Sequence, residues 1–190
     1  MSARTVAKSL VSSTRDCIHP RLTVANGLLA VTPTFVSGWF RARLYRLAGV
    51  DVARSAFLMG NIRVRGGSRG HASRIHIGPN VRVSTDVTIN SDGDVTIEEN
   101  VNIGPFVKIY TTTHDLGPGS RRSSTETVTR PVLIERGCWL ALGVSVLPGV
   151  TIGHGSVIGA GAVVSTDIPP DSYAEGVPAV VVRKLPLGHR

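Results

Sequence analysis

One spacing restricts this chain more than any other feature: branched aliphatic residues recur every six positions. Ile77, Val83 and Ile89 form one series, which restarts after a two-residue slip as Ile97, Ile103 and Ile109. It resumes as Ile134, Leu140, Val146, Ile152, Ile158 and Val164, and a noisier turn reads Val52, Leu58 and Val64. A second small or branched residue sits two positions earlier, as at Val81, Val87, Val101, Val107, Val132, Cys138, Val144, Val150 and Ala162. An i, i+2 pair puts both side chains on one face of a strand. A step of six does not return to one face of a helix. Three such short strands close a triangular coil, and stacked coils bring identical positions into aliphatic ladders. Turn glycines supply corners with positive φ. The chain is expected to be an all-β solenoid.

Three positions per coil give the groups 52/58/64, 77/83/89, 97/103/109, 134/140/146 and 152/158/164. Five coils make a stack of roughly 24 Å at the ~4.8 Å spacing of paired strands. The expected organisation is an N-terminal helical segment over 1–49, the solenoid over 50–170 with an excursion loop at 111–131, and a C-terminal tail over 171–190. A shorter insertion spans 66–74, and Val180 to Leu185 reads as a final strand. Insertions in such stacks gather on one face, often the binding face.

Composition narrows the class. With 190 residues, 42% of them hydrophobic, the chain can bury one real core, and its composition is not that of a disordered segment. Cys17 and Cys138 are too few and too far apart for a disulfide framework. No basic-then-apolar leader opens the sequence, so the cytoplasm is the expected compartment. A net charge of +8 favours polyanionic partners.

At the N-terminus, "LTVANGLLAVTP" and "VSGWFRARLYRLAG" read as two short helices. Asn26, Gly27 and Pro33 argue against a membrane span. Phe35, Trp39 and Phe40 with Arg41, Arg43 and Arg46 leave two readings open: a helix packed over the open end of the stack, or a basic helix lying on a membrane surface.

The stretch "CWLALGVSVLPGVTIGHGSVIGAGAVVSTDIPP", followed by "EGVPAVVVRKL", resembles the hexapeptide-repeat galactoside, maltose and capsular-polysaccharide O-acetyltransferases. The resemblance covers about residues 50 to 185. It implies a left-handed parallel β-helix, acetyl-CoA as cosubstrate, no metal, a saccharide acceptor and a homotrimer. In that family one loop histidine is the general base, and the match here is His114 in "TTTHD". An imidazole can take a proton from a sugar hydroxyl at neutral pH while that hydroxyl attacks a thioester. Asp115 either orients this base or turns the chain.

The resemblance assigns the oxyanion-stabilising N–H to Ala141. It places acetyl-CoA against Trp139, Ala141, Leu142, Ala160, Ser165, Thr166 and Arg183. Relatives often carry Thr-Lys where this chain has Ser165 and Thr166, so the lysine near the nucleotide phosphates is missing; Arg183 and Lys184 are candidates to replace it. A second basic residue of the galactoside enzymes aligns with Val180, another departure. On the acceptor side, Asn90 and Asp92 in "TINSDGD" match sugar-binding positions, and they also fit a plain turn. Ser84 and Tyr110 are further acceptor-side candidates. Cys138 occupies an inward repeat position and reads as core.

Other classes fit less well. A solenoid zinc enzyme needs three converging ligands, and the spacing of His71, His76 and His114 does not match that pattern. A nucleic-acid or membrane-surface module explains the charge but not the run from Trp139 to Arg183. N-acetylation of an amino sugar remains the main alternative to O-transfer, since the same base and thioester serve an amine.

Overall fold

Every aliphatic of the hexad from Val52 to Val164 except Val64 is buried, and the strands that carry them stack in register. The structure, a computed structural model, describes residues 20–30, 38–66 and 70–186. The first coil holds β1 (Asp51–Val52), β2 (Phe57–Leu58) and β3 (Arg63–Arg65). The second holds β4 (Ile75–Ile77), β5 (Arg82–Val83) and β6 (Thr88–Asn90), and the third β7 (Val95–Ile97), β8 (Asn102–Ile103) and β9 (Lys108–Ile109). An antiparallel hairpin, β10 (Thr112–Leu116) and β11 (Ser123–Thr129), then leaves the stack. The fourth coil resumes with β12 (Val132–Ile134), β13 (Trp139–Leu140) and β14 (Ser145–Val146), and the fifth with β15 (Thr151–Ile152), β16 (Val157–Ile158) and β17 (Val163–Val164).

Strands of successive coils pair in parallel to make three faces. The first runs β1-β4-β7-β12-β15 and the third runs β3-β6-β9-β14-β17. The second runs β2-β5-β8-β13-β16 and continues through β18 (Ser172–Gly176) to β19 (Ala179–Lys184). Inside, Ile77, Ile97, Ile134 and Ile152 form one ladder. Because strand side chains alternate, the neighbours on the second face point outward as Arg82, Asn102, Trp139 and Val157. Burying one such aliphatic contributes ~1.5–3 kcal/mol, and the ladders multiply that gain coil by coil.

The parallel pairing passes the edge expected at 170. Ile168 bridges to Ile152, and Ala174 in β18 pairs with Ile158. The stack therefore continues into a partial sixth coil. The hexad misses it because the step from Val164 to Ile168 is four rather than six. β19 then returns antiparallel along β18.

At the opposite end, α1 (Pro20–Ala30) packs against α2 (Gly38–Leu47), and α2 packs on β1 and β2 of the first coil. Leu22, Ala25 and Leu29 of α1 and Arg41, Ala42 and Tyr45 of α2 are buried. The Tyr45 hydroxyl accepts the Ile62 N–H at 2.9 Å and lies 3.0 Å from the Ile62 carbonyl. That contact satisfies backbone groups that an open edge would leave unpaired. Burial raises the Tyr45 phenol to about 12.

Candidate active site

The hairpin differs from the coils in having almost no interior: Thr113 to Leu116 are all exposed. What fixes it is its root. The Thr111 N–H donates to Asn90 Oδ1 at 3.2 Å, the Thr111 hydroxyl donates to the same oxygen at 2.8 Å, and the Thr112 hydroxyl lies 3.0 Å from it. Thr111 Oγ1 in turn accepts the Gly93 N–H at 3.0 Å. A Cβ at Gly93 would stand 2.8 Å from Thr129 Cγ2 and 3.2 Å from Thr111 Cβ, so only glycine lets the second coil approach both hairpin strands.

Three residues beyond Thr111, His114 places Nδ1 3.2 Å from the Glu126 carbonyl across the hairpin. A carbonyl only accepts, so this partner assigns the proton of the neutral ring to Nδ1 and leaves the Nε2 lone pair available. The orienting contact therefore comes from the backbone of β11. Asp115 is exposed on β10 and makes no hydrogen bond to His114 among the described residues.

Asn90 and Asp92 sit at the same corner as the hairpin root, where the third face returns to the first. The Asn90 amide donates to Asp92 Oδ2 at 3.1 Å, and the Arg74 guanidinium donates to the Asp92 carbonyl. Tyr110 enters the hairpin from this corner, its N–H bonded to the Val146 carbonyl at 3.0 Å.

A different corner, between the second and third faces, gathers Ser84, Ala141, Leu142 and Ala160. Here the structure corrects one expectation. The Ala141 N–H donates to the Ile158 carbonyl at 3.0 Å and is spent on the ladder. The next amide, that of Leu142, makes no backbone hydrogen bond among the described residues, although the Leu142 carbonyl accepts the Gly161 N–H. The backbone donor left open at this corner is therefore that of Leu142. Gly104 permits this packing, because a Cβ there would lie 2.8 Å from the Ala141 carbonyl carbon.

At this corner Phe106 and Leu142, and on the face leading into it Trp139, each expose about half of their surface. Phe106 was missed in the sequence. It holds a left-handed backbone, φ 60°, at the corner position that Gly143 and Gly161 occupy in the next two coils. A bulky residue in that region is uncommon and such strain gathers at functional sites. The missed signal was a phenylalanine where the repeat takes Asp, Asn or Gly.

The remaining cofactor candidates divide between positions. Ser165 and Thr166 are exposed at the same corner as His114, not at that of Leu142. Arg183, on β19, lies 5.1 Å from the Tyr173 ring centre, and Lys184 Nζ donates to the Pro170 carbonyl at 2.8 Å. The Tyr173 hydroxyl donates to Glu175 at 2.9 Å, which holds that phenol above its ordinary range. Cys138 is buried in the ladder, and burial raises its thiol to about 11. His76 pairs with Asp51 on the first face at 3.1 Å, and the His71 side chain lies outside the described residues.

Residues 131–166 match the model of the bacterial transferase hexapeptide family, described as six repeats. The chain is 42% identical over 115 residues to the galactoside O-acetyltransferase of Escherichia coli (strain K12), covering 60% of this chain and 56% of that protein. It spans about half the length of the curated relatives it matches. Among solved structures it resembles a galactoside acetyltransferase in complex with coenzyme A, at 32% identity and TM-score 0.75, over 87% of this chain and 79% of that one. It also resembles a maltose O-acetyltransferase from Clostridium difficile 630, at 30% identity and TM-score 0.73, over 86% of each chain. With its hexad, its three parallel faces and these likenesses together, the chain belongs to the hexapeptide-repeat acetyltransferase family.

Proposed function

We propose that this protein transfers an acetyl group from acetyl-CoA to a hydroxyl of a saccharide or glycosylated small molecule, as a trimer of left-handed parallel β-helices. The observation that carries the reading is the His114 ring, held through Nδ1 by the Glu126 carbonyl with Nε2 open.

In this reading Nε2 takes the proton of the acceptor hydroxyl as its oxygen attacks the thioester carbonyl. The tetrahedral oxyanion meets the Leu142 N–H. Collapse breaks the carbon–sulfur bond, and the imidazolium returns its proton to the departing coenzyme A thiolate. Phe106, Trp139 and Leu142 offer the pantetheine arm an apolar wall. Arg183 supplies a cation beyond it, in place of the lysine absent at Thr166. Asn90 fixes the hairpin root, and Asp92, Ser84 and Tyr110 are left to contact the acceptor.

The corners support assembly. His114 is three residues from the buried Thr111, a reach of at most ~10 Å at ~3.3 Å per residue. The Leu142 corner lies one face away, up to ~20 Å at six residues of the same rise. Base and oxyanion donor sit at different corners of the prism, so in this reading they come together between neighbouring chains, where a cleft between prisms gives the concave site that ligands need. The test is coenzyme A release from acetyl-CoA with panels of sugars, glycosides and amino sugars, with light scattering on the active material. Release with a hydroxyl acceptor, at three times the 20.1 kDa chain mass, is expected. No release with any acceptor overturns the enzyme reading, and full activity in a 20.1 kDa species overturns the shared site.

A further inference from the structure

The two helices at the first-coil end bury one stripe each and leave another largely exposed. In α1 the buried residues are Leu22, Ala25 and Leu29, while Val24 is 63% exposed and Leu28 53%. In α2, Arg41, Ala42 and Tyr45 are buried, while Phe40 is 48% exposed and Leu47 67%. Between the two stripes runs a groove of about 380 Å³ lined by Val24, Ala25, Leu28, Leu44 and Leu47, with Arg21 at its edge. Packing of α2 on the coil end and of α1 on α2 explains the buried stripes. It does not explain an apolar surface facing away from the coils, of a kind that monomeric soluble proteins rarely show without a partner.

Charge decides the partner. Arg21 and Arg43 are exposed on the same two helices, and neither helix contains an acidic residue. The first 50 residues of the sequence hold seven lysines and arginines and a single acidic residue, Asp16. A second copy meeting this patch about a twofold axis would bring these arginines onto themselves with no carboxylate in either helix to pair them. An anionic lipid surface supplies what is missing: negative headgroups for the arginines and acyl chains for Val24, Leu28, Phe40 and Leu47. No helix among the described residues is long and apolar enough to cross a membrane.

We propose that the outer face of α1 and α2 is a membrane-surface site that lies flat on anionic lipid and holds the coil stack away from the bilayer. The site is independent of acyl transfer, and it sits at the end of the stack opposite β18 and β19.

The test is co-sedimentation of the full chain, without acetyl-CoA or acceptor, with vesicles of phosphatidylcholine alone or mixed equally with phosphatidylglycerol. The chain is expected to pellet with the mixed vesicles and stay in solution with the neutral ones. Binding should weaken as salt shortens the screening length from ~10 Å at 0.1 M to ~3 Å at 1 M. Leu28→Glu with Leu47→Glu should abolish binding. Arg21→Glu with Arg43→Glu should weaken it at least ~10-fold, since each basic residue near an anionic surface carries a substantial share of the attraction. Both pairs are exposed, so circular dichroism melts should match the parent. Equal pelleting with both vesicle types, or binding that survives the leucine pair, overturns the proposal. So does self-association that disappears in the leucine pair, which would assign the patch to a second copy.

Discussion

The coil stack and the hairpin that interrupts it solve opposite problems with the same chain. In the stack, Leu140 is buried between Ile103 and Ile158, and each rung is held by the rungs above and below. In the hairpin, Leu116 is exposed, and the ordering comes from the β10–β11 backbone pairing and from a few hydrogen bonds on Asn90 and Thr111 at the root. Ladder burial is collective and tolerates a break, because the coils on either side still pair: β12 docks directly on β7. The hairpin contributes little burial, so its residues are free to serve chemistry. Regularity supplies stability here, and its interruption leaves His114 exposed, where the proposed chemistry needs it.

The comparison breaks most severely if a charge enters the ladder. Leu140→Asp places an unpaired carboxylate in the core and should abolish the cooperative unfolding transition, while Leu140→Ala should cost ~2–5 kcal/mol. Leu116→Ser should stay within ~0.5 kcal/mol, as exposed sites do. Chemical denaturation decides it, and equal losses at positions 140 and 116 would contradict the division.

In the hairpin the effect should fall on rate instead. His114→Ala is expected to lower kcat by ~10²–10⁴ with an unchanged melting curve and unchanged coenzyme A binding by calorimetry. Wild-type turnover in that variant would move the base elsewhere.

Asn90 stands at the join and should show both effects. Asn90→Ala leaves the Thr111 N–H without its acceptor, a loss of ~1–3 kcal/mol, together with a fall in kcat. Asp92→Ala removes the carboxylate that accepts the Asn90 amide but leaves the Thr111 bonds to Asn90 Oδ1 in place, so it should raise KM for the acceptor more than it lowers kcat. If the two variants have the same kinetic signature, the root is not what positions His114.

The smallest effect sharpens the stack side. The Cys138 thiol is raised from 9.0 to about 11 by burial, so the folded state favours the neutral form. Its contribution is intact below pH 9 and is lost as the pH climbs from 9 towards 11. Tyr45, raised from 10.0 to about 12, adds a second loss above pH 10 by the same sign. Denaturant midpoints should therefore decline above pH 9. Iodoacetamide at pH 8, with the site read by peptide mass so that Cys17 is counted apart, should label Cys138 only as the fold opens, and rapid labelling of Cys138 in the native chain would contradict its place in the ladder.

The amino-acid sequence by itself determined the stack: the hexad, its groups of three and the position of the excursion. Side-chain direction along a strand alternates locally, so a period of six is readable without knowing any distant contact. It marked Cys138 as core for the same reason, whereas His114 stood out as the candidate base only through the resemblance carried by "TTTHD" and the stretch from Cys138 to Leu185. Tertiary structure alone decided the rest. Whether Ala141 or Leu142 keeps a free N–H depends on the Ile158 carbonyl one coil away, and the orienting partner of His114 is a backbone atom twelve residues on, which carries no side-chain signature. The sixth coil through Ile168 and Ala174 was hidden by a shortened corner. Each of these turns on which backbone groups meet across coils, and backbone hydrogen bonds form between residues whose identities barely constrain them.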